Sequence, residues 1–427
     1  MHRQHLPSLA LFTVLTMASG LSNAQSASGQ EASPTLPGAE LTHSALLSGA
    51  QYKVVEPVKV ENYFGRFMIE SKFGKFSVLG TKMLGERVSE LKAIEELQKV
   101  QKDSAFKDAM SKSAGGVVKF AANTVEDPGK TVENVGKGIG TVIGRVGYLA
   151  QSGAQYVGDK ADDVSSANSK AKPKSAPNGE PEPPSFNGDP FGYNKARREW
   201  AQKLGIDPYT SNPVLRPLLD DAATATFAGN FGVSLTLGAI MAPVQYAYEF
   251  DDTVRQTVWN KPPIDLEKEN EAKLLSLGVQ GRAVRDLQRN KWFTPTLQTA
   301  LVARLEALGK MDGIESAVAV AAAVQGESHA RFLLESLAIL AQHHQKEGRF
   351  AKLKMSQLVP VGVTSEGAII VSIAIDYGIW DKGAAAFAQR KDLNAPKKTL
   401  LVAGKLSPQA KNGLEKAGWI LKTGLRV

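Results

Sequence analysis

The amino-acid sequence predicts an α+β fold that is mainly helical: an N-terminal β-meander with helices, then a C-terminal helical region ending in a small α/β unit. Apolar and polar residues alternate between residues 52 and 78, which is the period of half-buried strands. In several stretches between residue 84 and about residue 345, apolar residues recur three and four positions apart, as on one face of a helix. After residue 358, short strand-like and helix-like patterns follow one another.

The first 24 residues have the pattern of a Sec-type signal peptide. Residues 1–8 carry Arg3 and no acid, residues 9–18 form an apolar run, and Ser22-Asn23-Ala24 supplies the small residues that a signal peptidase recognises. We therefore expect an exported protein of the periplasm, the cell envelope or the medium. The chain has no cysteine, which fits a bacterial envelope better than a secreted eukaryotic protein and excludes thiol catalysis and zinc–thiolate sites.

The N-terminal part is predicted to hold a leader and an α+β module. Residues 25–50 are rich in Ser, Ala, Gly and Pro and predict a disordered leader. The module, residues 51–158, begins with strands that are separated by turns at 62–65 and 72–74. A helix follows, with an apolar stripe and a polar side that contains four charged residues. The stripe is Leu84, Val88, Leu91, Ile94 and Leu97, and the polar side is Glu86, Glu90, Lys92 and Glu95.

The same module contains a predicted glycine-rich amphipathic helix after the turn at Asp127-Pro128-Gly129. Glycine costs about 1 kcal/mol per helical position relative to alanine, so a row of glycines calls for a compensating contact. Three interpretations stay open: a tightly packed helical hairpin, a surface that associates with a membrane or another copy, and a flexible, partly helical segment. The candidate membrane or partner surface consists of Gly136, Lys137, Gly140, Gly144 and Arg145.

A disordered linker is predicted over residues 159–190, because this stretch has almost no large apolar residue. The helical domain is predicted over residues 191–348. Within it, residues 222–247 carry no charge, so this segment is either buried in the protein or inserted in a membrane. Its glycines, proline and polar residues favour burial.

A small α/β unit is predicted over residues 349–427. Strands at 358–364 and 368–377 flank the hairpin turn Ser365-Glu366-Gly367. A helix is expected at 382–390 and a strand at 399–402. Ser407 is the predicted cap of a further helix with Pro408 in its first position, Gly418 ends that helix, and the last strand covers 419–422.

Several short motifs occur in one order along the chain: Phe73-Gly74 before Gly80, Asp127-Pro128-Gly129, Leu204-Gly205-Ile206-Asp207-Pro208-Tyr209-Thr210, and the final element with Ser407-Pro408 and Gly418-Trp419. In this order the chain resembles a family of exported proteobacterial proteins of uncharacterised function. The resemblance implies a shared exported architecture and brings no catalytic residue with it.

Few side chains qualify as candidate sites. Asp207 and Tyr209 lie in a stretch rich in loop-forming residues. Asp376 and Tyr377 follow a predicted strand, at the position where an α/β unit binds ligands. These four are the candidate ligand-loop residues, although a capping Asp and a packed Tyr would explain the first loop equally well.

His343 and His344 are adjacent on a helix and point about 100° apart, so the sequence predicts no metal site. No nucleophile elbow, triad or phosphate loop is recognised, and no cofactor is expected.

The charge distribution indicates the class of partner. From Asp381 to the C-terminus, ten basic residues face three acidic ones in a chain of net charge +8. We expect an envelope protein, a glycan or an anionic lipid as partner, with peripheral membrane contact as one option, and no nucleic acid. The predicted function is a non-enzymatic structural or interaction role. The alternatives are an envelope hydrolase with an unrecognised carboxylate site and a membrane- or lipid-associating protein.

Overall fold

The computed structural model describes residues 30–113, 192–229, 231 and 252–425. The predicted signal peptide, the glycine-rich helix, the linker and most of the uncharged segment 222–247 lie outside the described residues. The prediction of a mixed α+β, mainly helical fold is confirmed.

An antiparallel sheet forms the N-terminal part. The longest strand, β5, pairs with β6 along one edge and with β4 and then β3 along the other, while β1 and β2 extend the sheet from β4 and β3. The predicted alternation of apolar and polar residues is confirmed, since the apolar residues at alternate positions along these strands are buried in the core. The strands are β1 (Thr35–Leu36), β2 (Ser48–Gly49), β3 (Tyr52–Val54), β4 (Val58–Glu61), β5 (Phe64–Ser71) and β6 (Gly74–Leu79).

The prediction that residues 25–50 form a disordered leader is wrong from Thr35 onward. Strand β1 pairs with β4, and the short helix α1 (Gly38–Leu41) follows it. Leu41, Leu46 and Leu47 are buried in the core beneath the sheet. The elements are too short to show a period in the sequence, and it is the pairing with β4 and the burial of these leucines that order them.

Helix α2 (Thr81–Val100) packs against this sheet, and three further helices pack on α2 and on one another to complete the first core. They are α3 (Ser104–Ser113), α4 (Tyr193–Leu204) and α5 (Leu215–Gly229). The predicted apolar stripe of α2 is buried as expected. Trp200 of α4 and Leu215 of α5 belong to the same core as the β-meander, although the predicted boundary assigns them to a separate helical domain. The first core is therefore built from both sides of the predicted linker.

The remaining helices pack against the C-terminal unit in a second core. Thr294 caps α9 (Pro295–Leu308), accepting a hydrogen bond from the Leu297 amide, and Gly309 ends this helix. The buried face of α11 lies against strands of the C-terminal sheet. These helices are α6 (Asp252–Asn260), α7 (Pro263–Ser276), α8 (Gly281–Gln288), α9 (Pro295–Leu308), α10 (Ile314–Ala322) and α11 (Glu327–Lys346).

The C-terminal unit is a five-stranded sheet with helices on both faces. The strand order is β13-β11-β9-β8-β7, in which β9, β11 and β13 are parallel and β7 and β8 antiparallel. Ser372 of β9 donates to the Ser336 carbonyl of α11, whereas its neighbour Ile373 faces the opposite helices. The elements are β7 (Lys352–Ser356), β8 (Val359–Val363), β9 (Ile369–Ile373), β10 (Tyr377–Gly378), α12 (Lys382–Ala388), β11 (Lys398–Val402), β12 (Lys405–Leu406), α13 (Pro408–Lys416) and β13 (Trp419–Lys422).

Candidate functional site

The Asp376 carboxylate lies just beyond the carboxyl end of β9, where an α/β unit ordinarily meets a ligand. It is 5% exposed and accepts hydrogen bonds from the Gly65 amide at 2.9 Å and from the Thr81 amide at 3.1 Å. The Thr81 hydroxyl donates to its other oxygen at 2.7 Å. Since Thr81 is the first residue of α2, Asp376 places a negative charge at the positive end of that helix. The carboxylate of this candidate ligand residue is therefore already hydrogen-bonded to the chain's own N-terminal part.

The turn between β4 and β5 reinforces the same junction. The Tyr63 carbonyl accepts hydrogen bonds from the Asp376 and Tyr377 amides, both at 3.0 Å. The Tyr63 hydroxyl donates to Asp381 Oδ1 at 2.5 Å, and that oxygen also caps α12 by accepting from the Ala384 amide. Burial, with the hydrogen bond to Asp381, raises the pKa of Tyr63 far above its ordinary value. Tyr377 is half-buried and packs against both hydrophobic cores.

Asp207 and Tyr209, the other pair of candidates, lie in the loop between α4 and α5. Asp207 Oδ1 accepts from the Tyr209 amide at 2.9 Å and from the Thr296 hydroxyl at 2.6 Å. Burial raises the pKa of Asp207 to about 6, against the lowering effect of these hydrogen bonds. Tyr209 is buried in the second core. The structure therefore supports the capping-and-packing interpretation of this loop, and it does not bring the loop near Asp376.

A buried charge cluster lies between α2, the same loop and α11. Arg331, 6% exposed, donates two hydrogen bonds to the Glu86 carboxylate, at 2.7 and 3.2 Å, and its Nε donates to Glu327 at 2.8 Å. Ser211 Oγ donates to the same Glu327 oxygen at 3.0 Å. A paired guanidinium of this kind satisfies both carboxylates in a region of low dielectric constant. The cluster joins the two cores of the protein.

Glu90 was expected on the polar side of α2, but it is 2% exposed. Its carboxylate accepts hydrogen bonds from Arg87 at 2.6 Å, from Asn212 at 2.8 Å and from the Thr210 hydroxyl. Burial, together with the charge of the nearby Glu86, raises the pKa of Glu90. The expectation is wrong because the loop 205–214, distant in sequence, folds over this side of the helix.

The two adjacent histidines lie at the end of α11, as predicted. His344 Nδ1 accepts from the Phe350 amide at 2.9 Å, and burial lowers the pKa of His344. His343 Nδ1 is 3.4 Å from Glu347 Oε2. Among the described residues, no group of three or more His, Asp or Glu is arranged to hold a metal ion.

The structure adds a candidate that the sequence analysis did not name: a cleft of about 850 Å³ between α12, α13 and the segment 389–398. The half-buried Trp380 forms one wall, and its indole lies so close to Gly413 that a Cβ there would be 2.5 Å from the ring. Four cations and four side-chain amides line the cleft, and none of the described lining residues is acidic. They are Arg390, Lys391, Lys398 and Lys416, with Gln389, Asn394, Gln409 and Asn412.

A signal for this cleft was present in the sequence. The α13 residues that line it, Gln409, Asn412, Gly413 and Lys416, are spaced as one face of a helix. The excess of positive charge in this region is visible in the sequence, but the charge count alone does not assign it to a helix face. The second wall, after α12, is irregular and shows no periodicity.

The candidate surface of Gly136, Lys137, Gly140, Gly144 and Arg145 lies outside the described residues. The described part of residues 222–247 consists of the end of α5 and of Phe231. The Phe231 ring packs edge-on against Phe106 and stacks parallel to Trp200. Within the part of the chain that the structure describes, no helix has the length and apolar character to cross a membrane. No protein-family model, curated protein or solved structure matches the chain.

Proposed function

We propose that the protein is exported to the cell envelope and has a non-enzymatic role there, binding another envelope component. The observation that carries this proposal is that the Asp376 carboxylate accepts hydrogen bonds from Gly65 and Thr81 of the same chain. In an open α/β sheet, ligands bind in the crevice outside the carboxyl ends of the strands. Here the chain's own Tyr63 turn and the beginning of α2 fill that crevice.

The other buried carboxylates support binding rather than hydrolysis. A catalytic carboxylate must come within hydrogen-bond reach of the substrate or of the attacking water. Glu90 and Asp207 instead accept hydrogen bonds from the loop 205–214 and from α9, and Glu86 is paired with Arg331. These acids hold the two cores together.

Export is supported by the predicted signal peptide and by a long chain without cysteine. Membership of a family of exported proteobacterial proteins is part of the same proposal. The basic C-terminal segment indicates that the bound component is anionic, because from Asp381 onward ten basic residues face three acidic ones.

Cell fractionation tests this proposal. Cells expressing the full chain are separated into cytoplasmic, periplasmic and membrane fractions, and the membranes are washed with concentrated salt and then with alkaline carbonate. We expect the protein in the periplasm or in the salt wash, because salt screens contacts between exposed charges. The control is a variant without residues 1–24, which should stay in the cytoplasm.

Two results would contradict the proposal. Retention of the full chain in the cytoplasm would refute export. Retention through the carbonate wash would mean that a segment outside the described residues is inserted in the membrane, which is the alternative that the sequence analysis left open.

A further inference from the structure

We propose that the cleft between α12 and α13 binds an acidic glycan, with the cations holding carboxylate or phosphate groups and the side-chain amides holding sugar hydroxyls. Its volume of about 850 Å³ is within the range of ligand sites and suits several sugar rings. Failure of this binding in the purified protein would be distinct from a failure of export, which is tested in cells.

The cations form two groups with different surroundings. Arg390 donates two hydrogen bonds, both 2.9 Å, to Asp392, which lies outside the lining and also accepts from the Ser356 hydroxyl. Lys398 Nζ donates to the Ala417 carbonyl at 2.8 Å and lies 4.8 Å from the centre of the Trp419 ring. These contacts hold both side chains in one orientation, which lowers the entropy lost when an anion binds.

Lys391 and Lys416 are exposed on opposite sides of the cleft, one after α12 and the other on α13. Neither forms an ion pair with any of the described residues. Their charges are therefore available to a ligand, and no acid in the lining competes with it. A charged ligand group between them would make charge-assisted hydrogen bonds, which are stronger than those between neutral groups.

The amides distinguish a glycan from a simple anion. Gln389, Asn394 and Asn412 are exposed, and their side chains form no hydrogen bond with other described residues. Each amide offers both a carbonyl acceptor and N–H donors, which is the combination that a sugar hydroxyl needs. The half-buried Trp380 adds an apolar wall against which a ring can lie.

Titration calorimetry with purified full-length protein tests the proposal. The probes are trigalacturonate, a phosphorylated trisaccharide, neutral maltotriose, inorganic phosphate and phosphatidylglycerol vesicles. We expect an acidic trisaccharide to bind at least about tenfold more tightly than maltotriose or phosphate, since each charge-assisted contact is worth one to two factors of ten. The tighter of the two acidic trisaccharides identifies the source of the charge, uronate or sugar phosphate.

A double variant, Lys391→Gln with Lys416→Gln, should weaken binding of that glycan by about tenfold. The matched control is Lys405→Gln with Lys411→Gln, which removes the same charge from exposed positions of the same unit outside the cleft. It should bind as the wild type does, and thermal unfolding should show that both variants remain folded.

Four results would overturn the proposal. Equal binding of maltotriose would show that charge has no part, and equal binding of phosphate would show that the amides and Trp380 contribute nothing. Equal losses in the two double variants, or a preference for vesicles over every soluble glycan, would show that the cleft is not the site.

Discussion

Asp376 and Thr81 are 295 positions apart in the sequence, yet the Asp376 carboxylate accepts hydrogen bonds from both the amide and the hydroxyl of Thr81. One residue follows a strand of the C-terminal sheet, and the other begins the first long helix of the N-terminal part. The contact satisfies an amide that has no partner within its own helix. It also closes the sheet edge at which an α/β unit would otherwise bind a ligand.

We expect Asp376→Asn to lower the free energy of unfolding by about 2–3 kcal/mol, since Asn lacks the negative charge at the start of α2 and one of the two acceptor oxygens. Urea denaturation measures the change. Tyr377→Phe is the control, because the Tyr377 hydroxyl has no hydrogen-bond partner among the described residues, and it should change stability by less than about 0.5 kcal/mol. Equal effects of the two substitutions would refute a bonding role for Asp376.

The Glu86–Arg331 pair should show strong energetic coupling. Arg331→Met leaves the carboxylates of Glu86 and Glu327 without their counter-ion. Because both carboxylates keep some solvent contact, the cost should be at most about 3 kcal/mol, the lower end of the range for a buried pair. In a double-mutant cycle with Glu86→Gln, we expect a coupling of about 1–3 kcal/mol. The control is the cycle for the exposed pair Lys75 and Glu70, whose coupling should lie within experimental error. Additive effects of Glu86→Gln and Arg331→Met would contradict the pairing.

Asp207 should make the protein less stable as the pH rises. Its pKa increases from 3.8 in the unfolded chain to about 6 in the folded one, so the folded state holds more protons between these values. Stability from this group is full below pH 3.8 and is lost as the pH passes 6, by at most about 3 kcal/mol for a pKa change of this size.

Urea denaturation of wild type and Asp207→Asn between pH 4 and pH 7 measures this dependence. Asn keeps the Oδ1 acceptor for Tyr209 and Thr296 but does not titrate. The variant should therefore gain stability relative to the wild type across this interval. A constant difference between the two proteins would show that the pKa of Asp207 is not raised.

Gly404 lies against the Asp376 main chain, and a Cβ at position 404 would be 2.0 Å from the Asp376 carbonyl oxygen. Because this neighbour is main chain held by β10 and β12, Gly404→Ala should cost about 3 kcal/mol or more. At Gly348 a Cβ meets nothing within 4 Å, so Gly348→Ala should stay within about 0.5 kcal/mol of the wild type. Thermal unfolding of both variants compares them, and a tolerated Gly404→Ala would contradict the close approach.

The C-terminal unit shows how much of the fold local sequence signals can predict. The hairpin around Ser365-Glu366-Gly367, the helix capped by Ser407 and the strand after Gly418 all form where they were expected. In each of them a glycine, a proline or a capping residue beside an apolar run marks where the element begins or ends. Strand β7 was missed, because only Leu353 and Met355 mark its alternation.

Contacts between distant segments could not be predicted in this way. Nothing around Glu90 indicates that the loop 205–214 covers it, and Glu86 and Arg331 are 245 positions apart. The cleft is an intermediate case, since its α13 face has a helical period whereas the opposite wall is irregular. A helical period can identify a polar face, but it cannot identify what lies across from that face.

The central claim is that the chain's own N-terminal part closes the ligand edge of the C-terminal sheet, and hydrogen exchange measures this most directly. We predict that the amides of Gly65 and Thr81 are protected in the wild type and exchange faster in Asp376→Asn, while those of α13 keep their protection. Fast exchange at Gly65 and Thr81 in the wild type, or identical protection in the variant, would contradict the account.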